Sequence, residues 1–342
     1  MVTCLKNKFT INYNLIVSCI LNNIYDVFSS EIQNIKEPMK KYKTLIFCLV
    51  ATLLFAFQPA KKSSAQETNN AEFSFVFMTD IHVTEERNAV EGYSQAIDSI
   101  NKLAPDFVLT GGDNIMDALG QTYNRSDSLY QLFDACIKKL DMPVYSTLGN
   151  HEVFGLYEES GVDPGHPKYG KKLYEERIAK RYYSFDLKNW HFVVLDGIGF
   201  TDDRHYYGHV DKEQLDWLKN DLKQNGKEKP VIVSIHIPLL SVGAQIMEEP
   251  TSGFRKSSIV TNAHDVIKIL EQYNTKLVLQ GHLHFLEDIE YNGIHYITGG
   301  AVSAEWWEGT RFGMEEGFLK VDISGEDFSW KYVDFGWEVP SE

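Results

Sequence analysis

Five short segments of the chain gather side chains that bind hard and borderline metal ions. They are Asp80-Ile81-His82, Gly112-Asp113-Asn114, Gly149-Asn150-His151-Glu152, the single His236, and Gly281-His282-Leu283-His284. Carboxylate, amide and imidazole without thiolate suit manganese, iron or zinc and argue against a soft-metal centre. Asp80 and His82 are two residues apart, as are His282 and His284, so both members of each pair can turn to one side where a strand runs into its loop. Gly112, Gly149 and Gly281 each precede a candidate ligand, where a residue without Cβ permits a tight turn and a close approach of backbone to an ion. A lone Asp-x-His or Gly-Asp recurs by chance, and a buried histidine such as His236 is ordinarily a hydrogen-bonded core residue. The argument rests on all five together and on what precedes each.

What precedes each is an apolar run of strand character. Phe73–Met78, Phe107–Thr110, Val144–Leu148, Val231–Ile235 and Leu277–Leu279 stand before the five segments, and His191–Leu195 and His295–Thr298 have the same character. Helical spacing marks Tyr93–Leu103, Ser126–Leu140, Lys171–Lys180, Lys212–Lys223 and Asn262–Tyr273. Strands interleaved with helices predict a layered α/β domain with a mixed sheet. Tyr182–Leu187 and His191–Asp196 read as an antiparallel hairpin, and the alternating tail Gly317–Phe335 is expected to close a second sheet or cover an edge. In open α/β sheets, ligands at the carboxyl ends of strands converge on one crevice, so five scattered segments can build one site. Two long irregular loops, Gly155–Tyr169 and Ser241–Ser258, are candidate pocket walls.

In this order the segments resemble the calcineurin-like metallophosphoesterase superfamily, over roughly Phe73 to Gly300. Within it the cyclic-nucleotide-phosphodiesterase-like group is nearest, with a departure at Glu152, where many such enzymes carry aspartate. The resemblance implies a four-layer α/β/β/α sandwich of two mixed sheets flanked by helices, with a binuclear metal centre at the strand ends. It implies that Asp80, His82, Asp113 and His284 hold one ion, that Asp113, Asn150, His236 and His282 hold the other, and that His151 faces substrate as the catalytic side chain. The nucleophile is then a metal-bridging hydroxide attacking phosphorus in line, which fits two ions about 3.5–4 Å apart across a shared carboxylate. Manganese or iron is favoured, with zinc as the further option. The purple acid phosphatase branch fits less well, because it has a tyrosine where this chain has Met116 and lacks the histidine present here as His82.

The chain has 342 residues and a formal charge of −15, an unfavourable starting field for gripping nucleic-acid phosphates. From Met39, three lysines, the 14-residue apolar run Thr44–Phe57 and Ser63-Ser64-Ala65 match a secretory signal cleaved near Ala65. That run is shorter than the roughly 20 residues a transmembrane helix needs, so no permanent span is expected. Residues 1–38 read as an extension ahead of the true start, and 66–342 as a single catalytic domain. The exported chain would carry 25 basic and 45 acidic residues, a net of −20, and Cys136 alone of the four cysteines. That leaves no intramolecular disulfide, and Cys136 is read as a small buried hydrophobe.

The function expected is an exported, binuclear-metal phosphodiesterase acting on a small-molecule or lipid phosphoester. A metal-dependent phosphomonoesterase is the alternative, and an exported metal-containing binding protein without turnover is the second. Trp306, Trp307, Tyr206, Tyr207, Tyr157 and Phe154 are candidates to stack on a flat substituent, and Arg255, Lys256 and Arg311 to pair with an anionic one. For each, plain packing or solvated charge is the simpler role.

Overall fold

Residues 72–340 are described by the computed structural model; the readings of 1–38 and 39–65 fall outside them. In chain order the main elements begin with β1 (Glu72–Met78), α1 (Ala89–Leu103), β2 (Phe107–Thr110), α2 (Tyr123–Ile137), β3 (Val144–Ser146) and α3 (Lys172–Arg177). The chain continues through β4 (Tyr183–Leu187), β5 (Trp190–Leu195), β6 (Ile198–Phe200), β7 (Tyr206–Gly208), α4 (Lys212–Asn225), β8 (Val231–Ile235), α5 (Gly243–Met247) and α6 (Ala263–Leu270). It ends with β9 (Thr275–Gln280), β10 (Leu286–Tyr291), β11 (Ile294–Gly299), β12 (Gly317–Ser324) and β13 (Asp327–Asp334).

Alternation along the strands decides the layering. In β1, Phe73, Phe75 and Phe77 point one way and Val76 and Met78 the other, as a period of two requires. The phenylalanines join Phe107 and Leu109 of β2 in a core shared with Phe192, Val194, Ile232, Leu277 and Leu279. Phe75 stacks on Phe107 at 4.9 Å, and Phe192 meets the Phe107 ring edge-on at 5.3 Å. Each such ring contributes roughly 1.5–3 kcal/mol by leaving water, so the two sheets are joined by apolar burial between their inner faces. On the outer face of the first sheet, Val76, Met78 and Val108 pack against Ile97 and Ile100 of α1 and Leu129 and Phe133 of α2. Outside the second, Val193, Val233 and Val278 pack against Leu218 and Leu222 of α4 and Val266 and Ile269 of α6. The result is the expected α/β/β/α sandwich, with Cys136 buried in the first outer layer.

The sheets run β13-β12-β1-β2-β3 and β10-β11-β9-β8-β5-β4. Strands β1, β2 and β3 are parallel, as are β5, β8, β9 and β11, while both sheets carry antiparallel edges. The predicted hairpin is β4–β5, in the register Tyr183↔Val194 to Leu187↔Trp190. The tail forms β12–β13 but extends the first sheet, with β12 antiparallel to β1. Its Leu319, Val321 and Ile323 enter the inter-sheet core, so the hairpin covers an edge rather than closing the second sheet. Strand β10 is absent from the sequence reading because Glu287, Asp288 and Glu290 break its apolar signal. Helix α5 lies inside the expected loop Ser241–Ser258 and is only five residues long.

Candidate metal centre

The five segments meet where the loops after β1, β2 and β3 of one sheet face those after β8 and β9 of the other. Two packed sheets therefore supply the site. Asp80, His82, Asp113, His282 and His284 all have left-handed backbones, with φ of 56, 47, 52, 72 and 51°. For a non-glycine residue this costs about 1–2 kcal/mol each, and a cluster of such residues marks a place where geometry serves more than packing. Hydrogen bonds between loops hold them: Asp80 N–H donates to Gly112 O at 3.0 Å and His82 N–H to Asp113 O at 2.9 Å. The Asp80 carboxylate accepts His282 N–H at 3.0 Å and the Thr79 hydroxyl at 2.6 Å.

Two of the preceding glycines are required by close approach. A Cβ on Gly149 would stand 2.2 Å from both Asp113 N and Oδ1, and one on Gly281 would stand 2.1 Å from Thr79 Oγ1. Any side chain there would push apart the loops that carry the candidate ligands.

The polar atoms fall into overlapping groups. Asp80, His82 and His284 each offer an atom within 4.8 Å of the others, and so do Asp113, His236 and His282. His82 Nε2 is 3.0 Å from His284 Nε2, and His284 Nε2 is 3.3 Å from Asp80 Oδ1. On the other side, His236 Nε2 lies 3.0 Å from Asp113 Oδ2, and His282 Nδ1 lies 3.3 Å from His236 Nε2. Asp113 Oδ2 is also 3.9 Å from His82 Nε2, which puts this carboxylate between the groups. Backbone carbonyls orient two of the rings: Gly111 O takes His236 Nδ1 at 2.9 Å and Ala304 O takes His284 Nδ1 at 2.5 Å. In each case Nε2 is left to face the site, the arrangement common for metal-binding histidine. Asn150 is buried, and its Oδ1 has no hydrogen-bond partner among the described residues, as befits an oxygen kept for a cation.

Electrostatics suit the same purpose. Burial raises the Asp80 carboxyl, but the adjacent His284 and more distant His236 outweigh it and hold it at about 2. Burial likewise works against ionised Asp113, yet His236, His151 and His82 hold it well below the usual carboxylate range. Burial, with His151 and His284, pushes His82 well down, and burial with His236 brings His282 to about 4. At neutral pH Asp80 and Asp113 are thus ionised and His82 and His282 neutral, the ligand forms that bind divalent cations. His236 is the exception: Asp113 overcomes its burial and lifts it to about 9, so a cation there displaces a proton.

His151 comes together with His82 and Asp113, its Nε2 3.9 Å from Asp113 Oδ2. It differs from Asp80, His82, Asp113, His236 and His284 in being 24% exposed where they are at most 3%. Its Nδ1 meets Met116 O at 2.5 Å, with Asp117 Oδ1 3.6 Å away.

Of the candidate aromatics, Trp306 and Tyr206 border the site, with ring centroids 4.8 Å from His284 and 6.1 Å from His282 respectively. Tyr157 stacks on Tyr206 at 6.5 Å, which brings the loop Gly155–Tyr169 to the rim. Phe154 and Trp307 are core residues, and Trp307 Nε1 donates to Ile81 O. Tyr207 packs beside His209. Arg311 lies over Trp306 at 5.0 Å, whereas Arg255 is 81% exposed and Lys256 is exposed too. The Met116 side chain packs with the core beneath α1 and α2.

The residue whose structural part the sequence did not reveal is Glu152. It is fully buried, and its carboxylate accepts the N–H groups of Asp113, Asn114, Ile115 and Gly149 at 3.0, 2.5, 3.3 and 2.7 Å. Burial and the Asp113 charge push it up to about 7, against the pull of His236 and of the Gly149 and Asn114 N–H groups.

Over residues 73–286 the chain matches the calcineurin-like phosphoesterase family. It is 23% identical over 222 residues to the 3',5'-cyclic adenosine monophosphate phosphodiesterase CpdA of Haemophilus influenzae, covering 64% of this chain and 70% of that protein. A probable glycerophosphodiester phosphodiesterase, GpdQ of Arcobacter nitrofigilis, is 25% identical over 210 residues, covering 59% of this chain and 65% of that protein. The match therefore spans just under two thirds of the second relative. A dimetal phosphatase from Danio rerio superposes with a TM-score of 0.52 at 16% identity, over 77% of this chain and 99% of that one. A purple acid phosphatase from yellow lupin seeds gives 0.55 at 17% identity, over 78% of this chain and 52% of that one. At these identities the two solved structures speak to the fold.

Proposed function

The chain belongs to the calcineurin-like phosphoesterase family, whose members are metal-dependent hydrolases, and from that premise we propose that it is an exported two-metal phosphodiesterase. Asp80, His82, Asp113 and His284 hold one ion, and Asp113, Asn150, His236 and His282 the other. The observation that carries this reading is the place of Asp113, with Oδ2 3.0 Å from His236 Nε2 and 3.9 Å from His82 Nε2. When bound, a pair of cations supplies Lewis acidity toward the phosphoryl oxygens and lowers the pKa of water enough to make it a nucleophile near neutral pH.

The remaining work falls to side chains. His151 is turned to the cleft, and because Met116 O fixes its Nδ1, its Nε2 is free to hold a proton beside the phosphoryl group or to pass one to the leaving oxygen. Trp306 and Tyr206 stand on opposite flanks, next to His284 and His282, and offer one apolar surface to each substituent of a diester. The donor set suits manganese or iron, with zinc the further option. A diester is favoured over a monoester because both relatives, by their names, act on phosphodiesters.

Export rests on the basic, apolar and small-residue pattern from Met39 to Ala65. Among the described residues no helix is long and apolar enough to cross a membrane. A small or lipid phosphodiester is the substrate class we assign. The test compares kcat/KM for bis(p-nitrophenyl) phosphate and p-nitrophenyl phosphate in manganese. A diester preference of tenfold or more, about 1.4 kcal/mol of transition-state discrimination, supports the reading; a monoester preference replaces it with a phosphatase.

A further inference from the structure

Glu152 makes contacts that set it apart from the side chains that face the cleft. Its Oε2 accepts Asp113 N–H from the loop after β2 and Gly149 N–H from the loop after β3, while Oε1 accepts Asn114 and Ile115 N–H. Asp113 returns the contact, since its Oδ1 accepts His151 N–H at 2.9 Å. The two loops therefore clasp each other in both directions, each with a carboxylate on the other's backbone. The Tyr130 hydroxyl of α2 donates to Glu152 O at 2.6 Å, which fixes the clasp to the outer helical layer. The left-handed turn at Asp113, with φ of 52°, is held by these bonds.

We infer that Glu152 is a positioning residue that sets the spacing between Asp113 and Asn150, and through it governs one ion position more than the other. The inference rests on the two-ion reading above. An ionised carboxylate has only acceptors to offer, so both oxygens can serve donor pairs. A glutamine in its place can serve one pair and must turn its own NH2 toward the other. Serving Asn114 and Ile115 would open the bonds to Asp113 and Gly149, and serving Asp113 and Gly149 would release the turn that follows Asp113. Either way the Asp113–Asn150 spacing changes, while Asp80 keeps its own hold on His282 N–H and Thr79. The group of Asp80, His82 and His284 meets that turn only through backbone bonds from Asp80 and His82 to Gly112 O and Asp113 O, so it feels Glu152 less directly than Asn150 does.

The experiment is equilibrium dialysis of the purified protein and of Glu152→Gln and Glu152→Asp against Mn²⁺, with bound metal counted by mass spectrometry and folding followed by thermal unfolding. The parent should bind two ions per chain. Glu152→Gln should keep one tight ion and bind the second at least tenfold more weakly while still unfolding cooperatively, and Glu152→Asp, which keeps an acceptor-only carboxylate, should recover part of that affinity. Two ions at parental affinity in folded Glu152→Gln overturn the inference, as does parallel weakening of both ions. If Glu152→Gln does not fold, Glu152→Asp decides: selective weakening supports the inference, and parental binding of both ions overturns it. A parent that binds fewer than two ions defeats the two-ion reading itself, and the inference with it.

Discussion

Asp113 Oδ2 and His236 Nε2 stand 3.0 Å apart in a fully buried setting, and the other nitrogen of His236 is committed to Gly111 O. The carboxylate thus has a fixed imidazole on one side and His82 on the other. That arrangement makes Asp113 the residue on which both candidate ion positions depend.

Asp113→Asn should therefore abolish metal-dependent hydrolysis, with a loss larger than the roughly 10–100-fold that follows removal of a supporting partner. It also leaves His236 buried without its countercharge, and breaking such a pair costs about 3–5 kcal/mol. Metal-free denaturant unfolding should show that destabilisation. An unchanged midpoint together with retained turnover would remove Asp113 from the centre of the account.

Removal of metal should itself lower stability, because left-handed turns at Asp80, His82, Asp113, His282 and His284 are then held by hydrogen bonds alone. One site filled at a hundred times its dissociation constant adds about 2.7 kcal/mol. Calorimetry after chelation and again after manganese is restored should show a fall and a recovery. Identical scans would mean that cations do not bind the folded chain preferentially.

His151→Ala should lower turnover by roughly 10²–10⁴-fold, the usual contribution of a positioned proton donor, while bound metal stays at the parental count. Loss of an ion in that variant would make His151 a ligand, as its proximity to His82 and Asp113 also allows.

Trp306→Ala should raise KM for diesters with a flat aromatic substituent and leave aliphatic diesters almost unchanged. Stacking of this kind is worth about 0.5–1.5 kcal/mol, a change of roughly two- to thirteenfold. Equal effects on both substrates would make Trp306 a packing residue beside His284.

One pH effect lies away from the site. His191 Nδ1 is 2.7 Å from Asp186 Oδ1 and Nε2 is 2.8 Å from Asp221 Oδ2. Burial lowers its pKa, but the two carboxylates outweigh burial and leave it above the ordinary value. A histidine raised on folding gives its full stabilisation below the unfolded pKa of about 6.5 and loses it as pH rises through the folded value. Chemical denaturation across that range should show the decline, and His191→Gln should flatten it.

The candidate site was legible because residue type and position coincide: each segment from Asp80 to His284 follows an apolar run that became a strand. A layered α/β domain was legible from strands interleaved with helices, and the four layers from the family resemblance alone. The split of Phe73, Phe75 and Phe77 from Val76 and Met78 lies within one continuous apolar run and emerges in the structure. Glu152 was hidden because its partners are backbone N–H groups, which no spacing rule exposes. Trp306 and Trp307 are adjacent and alike in sequence, yet one borders His284 and the other is buried under α1 with its Nε1 on Ile81 O. Both residues have left-handed backbones. The tail was read as closing the second sheet or covering an edge; it pairs with β1, and its Leu319, Val321 and Ile323 lie in the core between the sheets.

The central claim is a pair of ions that share Asp113, and anomalous diffraction from crystals grown with manganese tests it most directly. The account predicts two peaks about 3.5–4 Å apart, one among Asp80, His82 and His284 and one among Asn150, His236 and His282, with Asp113 between them. A single peak, or peaks away from Asp113, would contradict it.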